Sequence, residues 1–163
     1  MQEILIVNGH GGNENLLPFF AQTQLEKEHD YLVYVLPLVE TPSGGPPKKT
    51  TNDMHAGESE TSAMLISNPD LVHLDRANRE SGADQARLNL PDPLYTAIWW
   101  YARFPNHYSG DGAAATPEYG EFKMKTWEDV IVKSLQAIKA DQTSLQLQSE
   151  FFQKAKQPLA TRP

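Results

Sequence analysis

Cysteine is absent from the 163 residues, which rules out a disulfide framework and any thiolate metal site. That absence suits a reducing compartment, and a cytoplasmic location is the expectation. Dense basic runs are lacking as well. With 14 Lys and Arg against 21 Asp and Glu, the formal net charge is -7, so nucleic acid is not an expected partner. Long apolar runs are also missing. Ile4–Val7 and Tyr31–Leu38 are strand-sized, far below the roughly 20 apolar residues that cross a bilayer. No membrane partner and no signal peptide are expected.

What remains is an ordinary globular composition, 39% hydrophobic and 21% charged, at a one-domain length that can bury a core. Ile4–Val7 has the continuous β-branched and Leu pattern of a strand buried on both faces of a parallel sheet. A Gly-rich turn, Asn8–Asn13, follows. Leu16, Leu17, Phe20 and Leu25 predict a helix from about Asn15 to His29, with Asn15 as its N-cap and Pro18 tolerated in the first turn. Tyr31–Leu36 is a second strand. Strand, helix and strand in this order predict a βαβ unit with a right-handed crossover.

Thr41–Asp53 reads as a loop, a candidate lid or partner contact. Gly57–Ile66 predicts a helix and Leu71–Leu74 a short strand. Arg76–Pro93 reads as irregular, and Leu94–Tyr101 is apolar and aromatic with its state open. Pro117–Ala140 predicts a long amphipathic helix, Thr143–Lys156 a last helix, and Gln157–Pro163 a loose tail. The expected division is a domain over 1–140 followed by a C-terminal helix and tail over 141–163.

Two short constellations carry the chemistry. The first is Asn8-Gly9-His10-Gly11-Gly12-Asn13, a histidine among glycines at a strand's carboxyl end, where parallel α/β sheets bind ligands. A metal ligand, a plain tight turn and a phosphate cradle all stand open here. The dinucleotide fingerprint fails at Glu14, however, and no Gly-Lys-Ser/Thr follows. The second is His55-Ala56-Gly57-Glu58-Ser59-Glu60-Thr61-Ser62. Imidazole and carboxylate three residues apart share one side of a helix start and form a donor set suited to zinc, manganese or iron. The plainer alternative is an acidic first turn that complements the helix dipole, with Glu60 capping that turn or bracing a loop. A serine-hydrolase elbow is a poor fit, since Thr61 replaces its second glycine. The zincin pattern is absent.

Taken together, NGHGGN, a crossover and then DMHAGESETS opening a helix resemble the creatininase (creatinine amidohydrolase) family. Asn68-Pro-Asp-Leu-Val72, Tyr108-Ser-Gly-Asp-Gly112 and Ala115-Thr-Pro-Glu-Tyr-Gly120 extend that resemblance over roughly residues 3–140. It implies a layered α/β/α fold with a mostly parallel sheet. It also implies a site of two divalent metals (zinc, manganese or iron) and attack of metal-bound hydroxide on an amide or formamide C–N carbonyl of a small molecule. By position, it makes His10 a metal ligand and Glu58 a bridging or second-metal carboxylate with a catalytic share. His55 becomes the proton shuttle to the leaving nitrogen. Asn8, Asn13 and Glu60 then support the site, and Asp111 braces a loop.

The chain departs from the family pattern twice. Gly11 and Gly12 stand where creatinine-hydrolysing members carry an aromatic residue and a Glu, which points away from creatinine. The family's N-terminal G-S-x-E-x-H-G-x-H-L-P…D segment has no counterpart, and Asp53, His73 and Asp75 do not reproduce its spacing. The chain therefore reads as the C-terminal part of such a domain, complete only with added ligands. The rivals are a non-catalytic remnant or interaction domain and, last, a nucleotide-binding module. An uncovered Ile4–Val7 edge predicts homo-oligomers. Trp99 and Trp100 line a pocket or pack in the core or at an interface.

Overall fold

The computed structural model describes residues 2–40, 44–160 and 162. It divides into two compact units. One comprises Met1–Glu40 with Trp127–Pro163, and the other Thr41–Thr126.

The first unit opens with β1 (Glu3–Val7), α1 (Leu16–Thr23) and β2 (Leu32–Leu36). β1 and β2 pair in parallel, Glu3 opposite Leu32 through Val7 opposite Leu36, as a βαβ unit requires. The predicted helix reaches His29, but α1 stops at Thr23 and tightens into a 3₁₀ turn over Gln24–Glu26. The Thr23 hydroxyl donates to the Phe20 carbonyl at 2.7 Å, and the Gln24 amide donates to that same carbonyl. Side-chain donors of this kind compete with the helical ladder. Asn15 occupies the N-cap without a side-chain capping bond.

The unit continues with the Trp127–Ala140 part of α4 (Pro117–Ala140) and with α5 (Ser144–Ala155). Asp141 sits at their junction. It accepts the Thr143 and Ser144 amides at 2.8 and 3.1 Å and the Tyr34 hydroxyl at 2.9 Å. Bonds from Ser144 and Thr143, then Tyr34, hold its carboxyl far below the usual range. On α5, Gln148 donates to the Tyr31 carbonyl at 2.8 Å, and Phe152 is buried with its ring edge-on to His29.

The second unit contains β3 (Asp53–His55), α2 (Glu58–Ser67), α3 (Trp99–Arg103), β4 (Ser109–Gly110) and the first turns of α4. β3 and β4 pair antiparallel, with Asp53 opposite Gly110, His55 opposite Ser109 and a register shift between them. Its core is formed by Phe104, Ala115 and Tyr119.

The predicted Leu71–Leu74 strand is not one. Pro69–Leu71 and Leu74–Arg79 are 3₁₀ turns. Pro69 fixes its own backbone for a turn start, and the one extended residue between the two turns, Val72, has no ladder partner among the described residues. Of Leu94–Tyr101, only Trp99 onward is helical. In the predicted 41–53 loop, residues 41–43 lie outside the described residues, and the rest is irregular up to β3.

Candidate functional site

In the first unit, Asn8 organises the turn after β1. Its backbone N–H extends the ladder to the Leu36 carbonyl at 3.0 Å. Its buried side chain accepts from the His10 amide (3.0 Å) and the Asn13 side chain (3.3 Å) and donates to Glu14 at 2.9 Å. Glu14 also accepts the Leu38 amide at 3.0 Å, so the turn is tied to the end of β2. His10 projects from it, exposed. The Gly12 amide donates to His10 Nδ1 at 3.0 Å, which leaves the ring proton on Nε2. A metal at His10 would have to displace either that amide contact or that proton.

In the second unit, β3 turns into α2 through Ala56, whose φ of 54° lies in the left-handed region. The motif's own side chains hold that conformation. Glu60 Oε2 accepts the Ala56 amide at 2.7 Å, and the Thr61 hydroxyl donates to the Ala56 carbonyl at 3.0 Å. Glu60 thus reaches back like the distal member of a capping box. Gly57 follows because a Cβ there would collide with the Asp53 carboxylate. That carboxylate caps α2 by accepting the Ser59 amide at 3.0 Å and the Ser59 hydroxyl, and it pairs with Lys48 at 2.9 Å. Burial pushes the Asp53 carboxyl up, but the Ser59 and Lys48 contacts outweigh it and hold it below its ordinary value.

His55 emerges from this turn with Nδ1 3.5 Å from Glu60 Oε2. The Trp100 ring meets the imidazole edge-on, with centroids 6.0 Å apart. Opposite His55 on β4, Ser109 is wholly buried, and its hydroxyl lacks a hydrogen-bond partner among the described residues. Asp111 accepts the Ala113 amide at 3.1 Å and so caps the 3₁₀ turn that follows β4.

Glu58 is engaged differently. At 1% exposure, its carboxylate accepts the Lys49 amide on both oxygens (3.0 and 2.9 Å). Its Oε2 also accepts the Thr50 amide at 2.8 Å and the Thr50 hydroxyl at 2.9 Å. It anchors the segment before β3. His10 and Glu58 belong to different units, so each is placed within its own.

Spacing alone also missed Lys123. It lies one turn beyond Tyr119 on α4 and is buried. Burial lowers its pKa against the opposing fields of Asp53 and Glu60. The available signal was its place on the same helical stripe as Tyr119 and Trp127. His55 further lines an open groove of about 680 Å³ with Met64, Leu71, Arg76 and Tyr108.

The sequence model of the creatininase family, described as creatinine amidohydrolase, matches residues 1–135. The chain belongs to the creatininase family. Its fold is likewise creatininase-like α/β. It is similar to the crystal structure of a creatinine-amidohydrolase-like protein from Bacteroides fragilis, with a TM-score of 0.70 and 23% identity over 88% of this chain. The match spans 56% of that protein's length. No curated protein matches the chain. Among the described residues, no group of three or more His, Asp or Glu side chains stands ready to hold a metal ion. No helix among the described residues is long and apolar enough to cross a membrane.

Proposed function

We propose that the chain carries the proton-transfer half of a hydrolase acting on the C–N bond of a small amide or formamide, with His55 as the residue that delivers the proton to the leaving nitrogen. The observation that supports this reading is the ordering of His55. Its Nδ1 faces the Glu60 carboxylate at 3.5 Å, the Trp100 ring meets it edge-on with centroids 6.0 Å apart, and the side chain borders a groove of small-molecule size. A carboxylate on Nδ1 favours the tautomer protonated there, which puts the ring's lone pair on Nε2. In the reaction, water oxygen bonds to the carbonyl carbon, the C–N bond breaks and the departing nitrogen takes up a proton.

Family membership supports a divalent metal that would activate that water. Within the first unit, His10 is the proposed donor of this chain to such a metal. Within the second unit, Glu58 Oε2 already accepts three bonds, and Glu60 Oε2 holds the Ala56 amide and faces His55.

The test is hydrolysis of a panel of primary amides and formamides by the purified protein, with zinc, manganese or iron(II) supplied. His55→Ala should lower kcat by about 10²–10⁴-fold with circular dichroism and melting unchanged. Equal rates for both proteins would remove His55 from the chemistry. No turnover under any loading would support the non-catalytic reading of the chain.

A further inference from the structure

We infer that the groove beside His55 selects amides carrying one carboxylate, and that Arg76 is the group that recognises it. This inference rests on the hydrolytic reading of His55 and names the substrate class of the same site.

The groove's volume of about 680 Å³ falls within the range of small-molecule sites. Met64, Leu71, Val72 and Leu74 supply its apolar lining, which suits an aliphatic chain. Two polar groups stand out against that wall. Tyr108 receives the Gly112 amide on its hydroxyl oxygen at 2.7 Å, so its own proton remains available to a substrate oxygen. Arg76 lines the groove with its guanidinium bound to no side chain or carbonyl among the described residues.

Arg79, in the same unit, does not line the groove, and Arg87 and Arg103 are committed elsewhere. Arg103 pairs with Asp84 at 2.7 Å, and Arg87 donates to the Ala102 carbonyl at 2.8 Å. A guanidinium with all its donors open is a planar, bidentate receptor for a carboxylate. Glu80 also lines the groove and accepts from Asn106 at 3.2 Å. Its charge opposes a second anion, so the favoured ligand is a monoanion. Hydrolysis of an ω-carboxy amide yields a dianion, which Glu80 helps to expel.

The probe is adipamate, a primary amide with a terminal carboxylate, compared with its uncharged methyl ester. Both are assayed for hydrolysis, and adipamate binding is followed separately by backbone amide shifts in NMR. The wild type should prefer adipamate. Arg76→Gln should raise its KM and weaken its binding by about tenfold or more, leaving the ester unchanged. Equal loss for both compounds, or no loss for either, overturns the inference. Adipamate binding that depends on Arg76 without any hydrolysis would uphold recognition and sink the hydrolytic reading. Hydrolysis that needs His55 but is indifferent to Arg76 would do the reverse. Failure of adipamate both to bind and to react would sink both.

Discussion

A carboxylate as buried as Glu58 has to be compensated by its partners, and here the compensation comes from the chain itself. Two backbone amides and a hydroxyl converge on it from Lys49 and Thr50. Hydrogen bonds to a buried charge contribute about 1.5–3 kcal/mol each, and donors left behind in the interior add a further penalty. Glu58→Ala should therefore destabilise the protein by about 3 kcal/mol in urea unfolding. It should also accelerate amide exchange at Lys49 and Thr50 specifically. Unchanged exchange there would mean that Glu58 is not the anchor. The same residue marks the limit of reading this site from sequence. His55 and the acidic helix start were legible as a constellation, because an imidazole next to carboxylates at helical spacing is a local pattern. Which carboxylate turns toward His55 was not legible. Spacing puts Glu58 and His55 on one side of a helix, but the left-handed Ala56 breaks the helical path between them. Glu60 then faces the imidazole, and Glu58 meets a loop nine residues earlier in the chain.

At the scale of elements, α2 and α4 meet where one side chain has been removed. A Cβ on Gly120 would collide with the Ser62 carbonyl and stand 2.8 Å from Ile66 Cγ1. The Ser62 hydroxyl meanwhile accepts the Thr116 amide at 3.0 Å, just before α4 begins. Gly120→Ala would gain helix propensity of just under 1 kcal/mol, yet it must push two helices apart at a backbone contact. Overpacking of this kind costs about 1–3 kcal/mol, so the variant should melt lower than the wild type. A raised melting temperature would show that α2 yields easily. Elements bounded by local signals were readable. Pro117 pre-sets the first turn of α4, and the apolar stripe carries the helix to Ala140. The parallel pairing of β1 with β2 followed from the short crossover alone. Elements decided by distant or competing contacts were not readable. Leu71–Leu74 has strand composition but no partner strand among the described residues, and Thr23 tightens α1 early through a side-chain bond that propensity does not weigh.

Across the whole chain, acid is the condition that should separate folded from unfolded most sharply. Each unit holds a carboxylate below its ordinary range. Asp53 does so through Ser59 and Lys48 in spite of burial, and Asp141 through Ser144, Thr143 and Tyr34. In both cases the folded pKa lies under the unfolded value of 3.8, so the sign is fixed. Above that value both states are ionised, and the full contribution to stability is present. As pH falls below it, the unfolded chain binds protons first and the contribution shrinks; it is gone once the folded carboxyls also protonate. Net charge reinforces this trend. The formal value of -7 at neutrality passes through zero and becomes positive as carboxylates are lost, which adds self-repulsion to the compact state. The urea midpoint should therefore be nearly flat from pH 7 to about 5 and fall steeply below about 4. Asp53→Asn and Asp141→Asn should each flatten the acid limb while lowering the neutral plateau. A steep loss already between pH 7 and 5 would remove these two carboxylates as the cause.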